Sequence, residues 1–574
     1  MKLNWQILKP SLKSTQAIRK ALKCSHIIAS ILANRGISSE SQALSFMSPM
    51  LKNIRSPFYL KDIKIAALRI SKAIKNNEKI LIFGDYDTDG ITGVTILFRF
   101  LQYAGADVSY YIPHREREGY GLKPEHIHEV AVPENVSLII TVDCGASDNK
   151  AVDAANSRNI HVIITDHHHV PKMPPQATAL INPKQNGCNS GLDHLAGAGV
   201  AFYLVIYLRK HLRDIGFWNT LPEPNLKQYC DLVALGTVAD IVPLHYENRI
   251  FTKAGLDHIR DGNGVGIQAL MQVSKIKRSE LNSEDISFRL APRLNAAGRM
   301  DHAQIAVQLL TTDNKKTAMD IALSLNRMNT QRQDIQKQII DEIELFLNKN
   351  RNMLDRKTLV LYHRKWHEGI LGIAAARLTK KYYRPVILIS IKDQIGKGSA
   401  RSIRGVDIYK CLTACASDLE SYGGHSLAAG LRIDPEKIKQ FIENFENIVK
   451  ETALPDTFIP EISIDFALNF SGISGSLINE LERLGPYGSG NPEPLFMSRH
   501  IKVLFSEIVG QNHRRMRVKQ VSDTTDQSIN AIQFNIDTNL PQPQYFEKIA
   551  YSLKWNHRTR RKSIQLVIKA TDFD

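Results

Sequence analysis

Short apolar runs that end in acidic residues recur through the first half of the chain. Residues 81–83 lead to three carboxylates at alternating positions, residues 137–142 lead to Asp143, and residues 161–165 lead to Asp166 and three histidines. A fourth run, residues 232–239, leads to Asp240 and fits a helix as well as a strand. Such runs are typical of buried parallel strands, whose ends meet at one edge of the sheet. The acidic residues are therefore expected to converge there.

The spacing of apolar positions predicts alternating strands and helices between residues 56 and 215. The strands are expected at 79–83, 106–112, 136–142 and 160–165, with helices at 91–103 and 198–212. This alternation favours an α/β, doubly wound sheet. Residues 1–55 are predicted to be helical and to cap this domain, and residues 225–312 are predicted to be mainly helical.

A long helix is predicted from Asp313, a suitable N-cap, to Asn350. Its apolar stripe suits a connector between two lobes, and the alternative is two shorter helices broken near Asn329. Residues 356–450 return to an α/β pattern. Beyond 458, strand-like runs at 501–505, 529–534, 548–555 and 563–568 favour a small barrel.

The net charge of the chain indicates what kind of partner it binds. The 574 residues carry a net charge of +16, with a pI of about 9.4, which favours a polyanionic partner such as nucleic acid. Basic clusters at 513–519 and 558–562, with Tyr551 and Trp555 nearby, suit a groove that binds phosphates and stacks bases. The alternatives are a generally basic proteome and a solvated basic domain that touches nothing.

Cysteine usage and hydropathy bear on the compartment. The six cysteines are scattered and demand no disulfide, which fits a reducing cytoplasm. No apolar run reaches the length of a membrane span, and no signal peptide is evident at the N-terminus. We therefore expect a cytoplasmic protein.

The three carboxylates of residues 85–89 repel one another unless a cation lies between them. Oxygen ligands suit Mg²⁺ or Mn²⁺, and the nearby histidines favour Mn²⁺ over Ca²⁺. Several carboxylates around one cavity are typical of two-metal sites that carry out phosphoryl transfer. A solvated acidic turn is the alternative for residues 85–89 alone.

Several motifs give the chain a family resemblance. Asp166-His167-His168 resembles the signature of the DHH phosphoesterase superfamily, and residues 84–90, 142–145 and 239–240 resemble its other acidic motifs. Further strings resemble the RecJ family within it, in colinear order: Arg115 with 118–122, then 195–202, 234–244, 293–299, 366–369 and 423–430. The resemblance extends from about residue 50 to the C-terminus.

The resemblance implies an architecture. It consists of a DHH catalytic domain with a parallel doubly wound sheet, a long connecting helix, an α/β DHH-associated (DHHA1) domain and a C-terminal OB-fold β-barrel. The predicted division is 1–55 for the helical cap, 56–312 for the catalytic domain, 313–352 for the connecting helix, 353–455 for the DHHA1 domain and 456–574 for the OB-fold.

It also implies an activity. The expected function is a single-stranded-DNA-specific 5′→3′ exonuclease that releases 5′-mononucleotides by two-metal-ion hydrolysis with Mn²⁺ or Mg²⁺, in DNA recombination and repair. A RecQ-type helicase and single-strand-binding protein are the expected partners of a monomeric enzyme. Smaller DHH relatives that hydrolyse pyrophosphate, cyclic dinucleotides or short RNA are one alternative, although they generally lack the barrel and connector. A non-catalytic DNA-binding scaffold is the other, and the intact acids and histidines argue against it.

By resemblance, five residues are metal ligands: Asp87, Asp89, Asp143, His167 and Asp240. Asp85 is a further ligand or an acid that supports one, and Asp143 and Asp89 are the candidates to bridge two cations. His168 is expected to face the substrate phosphate, so His168 and Asp143 are the catalytic candidates. Asp166 is expected to orient His167 or to cap the turn, and His169 to be a tolerated surface or supporting residue.

A terminal 5′-phosphate calls for arginine forks, which bind phosphate bidentately. The candidates to bind the substrate are Arg115, Arg293, Asn295, Arg299, Ser399, Arg401, Gly423, Gly424 and His425. The alternative for Arg293 and Arg299 is salt bridging between lobes. Capping and lobe packing compete with any substrate role for His367 and Glu368, at the start of a predicted helix.

Overall fold

The N-terminal segment packs on the C-terminal domain. In the computed structural model, which describes residues 3–521, 527–538, 541–556 and 562–572, it comprises β1 (Asn4–Ile7), α1 (Leu12–Leu22), α2 (His26–Asn34) and α3 (Glu40–Met47). Ser11, Ser25 and Ser39 cap the three helices by accepting a backbone N–H three residues on. Ile18 and Ile28 are buried in one cluster with barrel residues, and β1 pairs with β12 (Glu461–Ile464). The predicted helices are present, but the segment also contains a strand, and Ile18 and Ile28 belong to the core of the barrel and not to that of the catalytic domain.

The catalytic domain is built on a parallel sheet. Its strands are β2 (Ile80–Gly84), β3 (Val108–Tyr111), β4 (Leu138–Val142), β5 (His161–Thr165) and β6 (Ala179–Ile181), in the order β3-β2-β4-β5-β6. The helices around it are α4 (Ile63–Lys75), α5 (Thr88–Tyr103), α6 (Pro124–His126), α7 (Asn149–Ser157) and α8 (Gly197–Asp214). The doubly wound sheet and its first four strands are confirmed. The short strand β6 was not predicted.

A helical layer completes this domain and leads to the connector. It comprises α9 (Cys230–Ala239), α10 (Tyr246–Arg260), α11 (Val265–Val273), α12 (Ser283–Asp285), α13 (Ala291–Met300) and α14 (Gln304–Thr311). The connector α15 (Lys315–Lys349) is one continuous helix, capped by Asn314 and not by Asp313. Two residues of its polar gap, Asn329 and Arg332, are buried, and Arg332 donates to Asn329 Oδ1 at 2.6 Å and to Gln336 Oε1 at 2.9 Å. The helix therefore does not break near Asn329.

The second lobe is a mixed α/β domain. Its elements are β7 (Leu359–His363), α16 (Glu368–Tyr382), β8 (Val386–Lys392), β9 (Ile395–Arg401), α17 (Ile408–Ala414), β10 (Ser421–His425), β11 (Ala428–Ile433) and α18 (Ile438–Thr452). The strand order is β10-β11-β9-β8-β7, in which only β7 and β8 pair in parallel. Because β10 lies at the edge, its backbone faces outward on one side.

The C-terminal domain is a closed barrel, as predicted. After β12 come β13 (Phe466–Ala467), α19 (Gly475–Glu482), β14 (Phe496–Val509), β15 (His513–Gln520), β16 (Ser528–Gln533), β17 (Tyr545–Asn556) and β18 (Ser563–Thr571). The barrel closes where β14 pairs with β17. The predicted basic cluster at 513–519 is the strand β15, on which Arg515 and Arg517 are exposed and Met516 and Val518 are buried.

The two aromatic residues of the predicted base-stacking groove differ in their exposure to solvent. Tyr551 is fully buried and lies 2.8 Å from Ser498 Oγ, so the prediction that it contacts bases is wrong. Trp555 is partly exposed, and Lys562 Nζ lies 4.5 Å from its ring centroid. The rest of the second basic cluster, residues 558–561, lies outside the described residues.

Two further features bear on the expectations about the compartment. The six cysteines all lie in the described ranges and are unpaired, and Cys411 and Cys415 belong to the core of the second lobe. Among the described residues, every helix is too short or too polar to cross a bilayer.

Candidate active site

The turn from β2 to α5 positions three carboxylates within five residues. Asp85 follows the strand, and Asp87 is the N-cap of the helix, where its Oδ1 accepts the N–H groups of Asp89 at 2.9 Å and Gly90 at 3.1 Å. Asp89 therefore lies in the first helical turn. Gly90 is required here, because a Cβ would lie 2.5 Å from the carbonyl oxygen of Asp85.

Three more strand and helix ends bring their side chains to the same place. Asp143 follows β4 with a left-handed φ of 61° and donates its N–H to Thr165 O at 2.9 Å. His167 Nε2 lies 3.1 Å from Asp143 Oδ1, 3.6 Å from Asp240 Oδ2 and 3.9 Å from Asp89 Oδ2. Residues far apart in the sequence are thus within mutual reach, as the parallel sheet predicted.

Two backbone amides hold the carboxylate of Asp89, a contact that the sequence alone did not reveal. The backbone N–H of Gly197 donates to its Oδ2 at 2.6 Å, and that of Ala198 to its Oδ1 at 2.9 Å. Both amides are at the start of α8, where helix N–H groups lack partners and favour an anion. In the sequence, residues 195–202 stand out only as a family motif, and their glycine and alanine pattern is the signal for a close approach.

The electrostatics of this cluster are unfavourable without a cation. Burial, then the charges of neighbouring carboxylates, raises the pKa of Asp85, Asp89 and Asp143 well above the ordinary value. Burial and Asp87 raise the pKa of Asp240 to about 7. Burial, then His168, lowers the pKa of His167 to about 3, so its imidazole is neutral. Such crowding of acids is typical of functional sites.

The donor atoms of this cluster fit a pair of hard cations. Asp85 Oδ1, Asp143 Oδ1 and both ring nitrogens of His167 are buried without hydrogen-bond partners among the described residues. Three sets of ligand atoms lie within 4.8 Å of one another: Asp143, His167 and His168; Asp89, His167 and Asp240; and Asp85, Asp87 and Asp143. Carboxylate oxygens with an imidazole suit Mn²⁺ or Mg²⁺. Asp143 belongs to two sets, whereas Asp89 belongs to one.

His168 is oriented by the acid of its own motif. Asp166 Oδ1 accepts the N–H groups of His167 at 2.7 Å and His168 at 3.0 Å, and lies 2.8 Å from His168 Nδ1. Burial lowers the pKa of His168, but the hydrogen bond and charge of Asp166 outweigh burial and leave it above the ordinary value. Asp166 therefore caps the turn and orients His168, not the ring of His167. His169 is exposed.

Three of the predicted arginines meet where the two lobes face each other. Arg299 donates to the carbonyl oxygen of Gly369 in the second lobe at 2.9 Å. Burial, then the charges of Arg115, Arg332 and Arg401, lowers its pKa to about 9. Arg401 donates to Ser399 Oγ at 3.3 Å, and Arg115 stacks 4.8 Å from the ring centroid of Tyr86.

These three arginines lack a countercharge in direct contact. Within the described part of the chain, their contacts are with the Tyr86 ring, the carbonyl groups of Gly369 and Ala400 and the Ser399 hydroxyl group, and none is with a carboxylate. A cluster of partly buried cations with neutral partners is unfavourable unless an anion binds. Salt bridging between lobes, the alternative for Arg299, is therefore wrong, since its interlobe partner is a carbonyl group.

Two predicted substrate residues make structural contacts. Asn295 Oδ1 accepts the N–H of Thr88 at 2.8 Å and its hydroxyl at 2.9 Å, so it holds the start of α5. Arg293 donates to Asn326 Oδ1 on the connector at 3.0 Å, and it forms no salt bridge to the second lobe in the described ranges. His367 caps α16, as the competing interpretation has it, and lies 3.6 Å from Glu116 Oε1 of the other lobe.

The glycine-rich strand β10 lies in line with Ser399. Gly423 pairs with Gly430, which pairs with Ser399 across the sheet. Gly423, Gly424 and His425 are exposed. Gly424 has a φ of 145°, and a Cβ there would lie 2.4 Å from the carbonyl oxygen of Ala428. The strand therefore presents exposed backbone and an imidazole near Ser399, which contacts Arg401 of the arginine cluster (Arg115, Arg299 and Arg401).

Gly197 gives a test of how tightly this site is packed. An alanine Cβ at Gly197 would lie 2.7 Å from Cβ and Oδ1 of Asp143, so Gly197→Ala is expected to displace the Asp143 carboxylate. We expect Mn²⁺ affinity to fall by about 10- to 100-fold, a loss typical of disturbed ligand positioning. Isothermal titration with Mn²⁺ measures it.

Gly199→Ala is the matched control, two residues along the same helix. The three atoms nearest to its Cβ would all belong to the flexible side chain of Leu195, at 3.3 Å to 3.7 Å. Both substitutions raise helix propensity equally. Equal Mn²⁺ affinity in the two variants would contradict the close packing of α8 against Asp143.

Comparison with known proteins gives consistent matches along the chain. Family models match residues 79–237 (DHH family, N-terminal domain), 355–451 (DHHA1 domain) and 464–570 (RecJ OB domain). Proteins named single-stranded-DNA-specific exonuclease RecJ are 36% identical in Salmonella typhimurium and in Escherichia coli; each comparison covers 94% of this chain and 95% of the relative. The relative from Bacillus subtilis is 34% identical, and the chain spans 65% of its length.

Solved structures agree with these matches. The crystal structure of RecJ in complex with Mn²⁺ from Thermus thermophilus aligns with a TM-score of 0.83 at 28% identity, over 99% of this chain and 79% of that one. A crystal structure of exonuclease RecJ bound to manganese is 34% identical, with a TM-score of 0.58 over 69% of this chain and 96% of that one. A third structure is the Thermus protein in complex with Mg²⁺.

Proposed function

This chain belongs to the RecJ family of single-stranded-DNA-specific exonucleases, and from that membership we propose that it is a metal-dependent 5′→3′ single-stranded-DNA exonuclease. It releases 5′-mononucleotides and acts in DNA recombination and repair. The observation that supports this most is the set of buried carboxylate and imidazole atoms that converge without partners among the described residues. Their arrangement needs cations, and paired cations serve phosphodiester hydrolysis.

The metal ligands in this proposal are Asp85, Asp87, Asp89, Asp143, His167 and Asp240. Asp143 and His167 each belong to two of the three ligand sets, and Asp143, whose carboxylate has two oxygens, would be the residue able to serve both cations. When bound, Mn²⁺ or Mg²⁺ neutralises charge on the phosphoryl oxygens and lowers the pKa of water. The amides of Gly197 and Ala198 hold the carboxylate of Asp89 in place while this occurs.

His168 contacts the substrate phosphate in this proposal. Because Asp166 engages its Nδ1 at 2.8 Å, Nε2 is the nitrogen free to reach a substrate oxygen. Its raised pKa favours the imidazolium form, which can donate a proton to the departing oxygen or stabilise charge on the phosphate. His168 is therefore the general acid candidate.

The arginine cluster selects the end of the strand. A terminal 5′-phosphate carries more charge than an internal phosphate, and within the described ranges Arg115, Arg299 and Arg401 contact neutral groups and no carboxylate. Ser399, Gly423, Gly424 and His425 contact the terminal nucleotide, whereas Arg293 and Asn295 support the site through Asn326 and Thr88. The terminal phosphate thereby supplies the missing countercharge.

The remaining parts of the proposal concern DNA binding by the barrel, cellular location and partners. The barrel binds single-stranded DNA through the exposed Arg515 and Arg517 of β15 and through Trp555. We further propose a cytoplasmic location from the cysteine usage, and from the family resemblance a monomeric state and partnership with a RecQ-type helicase and single-strand-binding protein.

End-labelled DNA tests the proposed activity directly. With Mn²⁺, we expect a 5′ label on single-stranded DNA to leave at once as a mononucleotide, while a 3′ label stays on shortening products. Duplex DNA and reactions with chelator are expected to show at least about 100-fold slower release. Release of the 3′ label first, or faster turnover of a dinucleotide than of long single-stranded DNA, would overturn the proposal.

A further inference from the structure

Tyr120 joins two parts of the site through a single hydroxyl group. Its OH donates to the backbone carbonyl oxygen of Asp143 at 2.9 Å and lies 3.2 Å from His168 Nδ1. The two rings meet edge to face, with centroids 5.8 Å apart. One side chain thus contacts both catalytic candidates, although it carries no charge and binds no metal.

The contact to Asp143 has a specific consequence for its backbone. Asp143 is a non-glycine residue in the left-handed region, with φ of 61°, a conformation that persists only where surrounding contacts hold it. Its N–H is held by Thr165 O at 2.9 Å, and its carbonyl group is held by Tyr120. Hydrogen bonds therefore hold both the N–H and the carbonyl group of Asp143. Because the backbone is fixed, the direction of its carboxylate is fixed as well.

The contact to His168 complements that of Asp166. His168 Nδ1 donates to Asp166 Oδ1 at 2.8 Å, so the proton of Tyr120 is directed to the carbonyl group of Asp143. The tyrosine oxygen then borders the same N–H and limits rotation of the imidazole. The ring of His168 is positioned from two sides, which leaves Nε2 for the substrate.

Tyr120 is itself held on a braced segment, residues 113–122. Glu118 accepts the N–H of His114 at 3.1 Å and the hydroxyl of Tyr111 at 3.0 Å, and it lies 3.1 Å from His126 Nε2. The N–H of Leu122 donates to Asp148 Oδ2 at 2.7 Å. A rigid segment can hold a hydroxyl group to the precision that catalysis requires.

We propose that Tyr120 is a positioning residue, whose hydroxyl fixes the backbone of Asp143 and the ring of His168. This inference rests on the proposed function, because it assigns a role within the same site. Tyr120 is not a catalytic residue, since it acts through Asp143 and His168. The loss of its hydroxyl should weaken metal binding and turnover while leaving the capture of DNA unchanged.

The variant Tyr120→Phe removes only the oxygen atom. We expect kcat on single-stranded DNA to fall by about 10-fold, the effect of about 1.4 kcal/mol, while KM stays within about 2-fold. Mn²⁺ affinity, measured by isothermal titration without DNA, should fall by about 3- to 10-fold. The titration reads the site independently of activity.

Tyr103→Phe is the matched control. Tyr103 is 41% exposed against 44% for Tyr120, and its hydroxyl likewise donates to a backbone carbonyl group, that of Pro222, at 2.8 Å. It lies at the far end of α5 from Asp89. We expect this variant to match the wild type in kcat, KM and Mn²⁺ affinity, with a similar melting temperature for both variants.

Two results would overturn the inference. One is wild-type kcat and Mn²⁺ affinity in Tyr120→Phe, and the other is an equal loss in both variants together with a lowered melting temperature. Failure of the proposed function is distinguishable, because the wild type would then leave single-stranded DNA intact while the Mn²⁺ titrations still compare the two tyrosines.

Discussion

Asp143→Ala is expected to lower exonuclease activity by at least about 10³-fold, which corresponds to about 4 kcal/mol of transition-state stabilisation. Asp143 belongs to two of the three ligand sets and lies 3.1 Å from His167 Nε2, so its removal disturbs both proposed cation positions. Kinetics on single-stranded DNA and Mn²⁺ titration measure the two losses. Binding of single-stranded DNA is expected to remain, because the arginine cluster and the barrel are untouched.

The stability of this variant gives a second readout. Burial and four neighbouring carboxylates raise the pKa of Asp143, which means that its ionised form is unfavourable in the metal-free protein. Asp143→Ala should lose the rise in melting temperature that Mn²⁺ gives the wild type.

Asp153→Ala provides the control for a lost carboxylate. Asp153 is exposed on α7 in the same domain. We expect it to keep wild-type activity and wild-type stabilisation by Mn²⁺. Full activity in Asp143→Ala would contradict both the metal site and the catalytic proposal.

Arg401→Gln is expected to remove the preference for a phosphorylated 5′ end. The Arg401 guanidinium is largely buried near Arg115, and its Nη1 donates to Ser399 Oγ and to the carbonyl oxygen of Ala400. Because these partners are neutral, the charge of the guanidinium is left for a phosphate. Losing a charged hydrogen bond of about 1.5–3 kcal/mol corresponds to about a 10- to 100-fold drop in kcat/KM. The drop should appear on 5′-phosphorylated DNA and stay within about 3-fold on 5′-hydroxyl DNA.

Arg404→Gln separates this effect from a general loss of positive charge. Arg404 lies three residues further on and is exposed. It should behave as the wild type on both substrates at constant ionic strength, since an exposed charge is screened. An equal drop on both 5′ ends in Arg401→Gln would show that Arg401 does not read the terminal phosphate.

The sequence alone predicted much of the catalytic sheet and the barrel. Strands β2, β4 and β5 are mainly apolar runs that are followed directly by acids, and this pattern predicts both a buried parallel strand and the polar group at its end. It failed where the pattern is ambiguous. The strand β6 has only three residues, which is too short for a recognisable pattern. In β15, the many basic residues obscure the alternation of buried and exposed positions.

Contacts between distant segments were beyond the reach of the sequence. The N-terminal helices have apolar faces that could pack on either domain, and only the assembled chain shows that Ile18 and Ile28 join the barrel core. Tyr551 is an aromatic residue of the kind that stacks on bases, yet its position on β17 directs the side chain inward to Ser498. Burial and partners depend on which elements meet, and a single sequence does not encode that locally.

The identity of the carboxylates and histidines, and their place at strand ends, was thus determined by the sequence itself, because period and polarity are local properties. Only the tertiary structure decided that α8 supports Asp89 through its amides, that Tyr120 anchors Asp143, and that Asn295 holds Thr88. These contacts join residues between 23 and 207 positions apart. Their distances follow from the packing of whole elements, which no local pattern specifies.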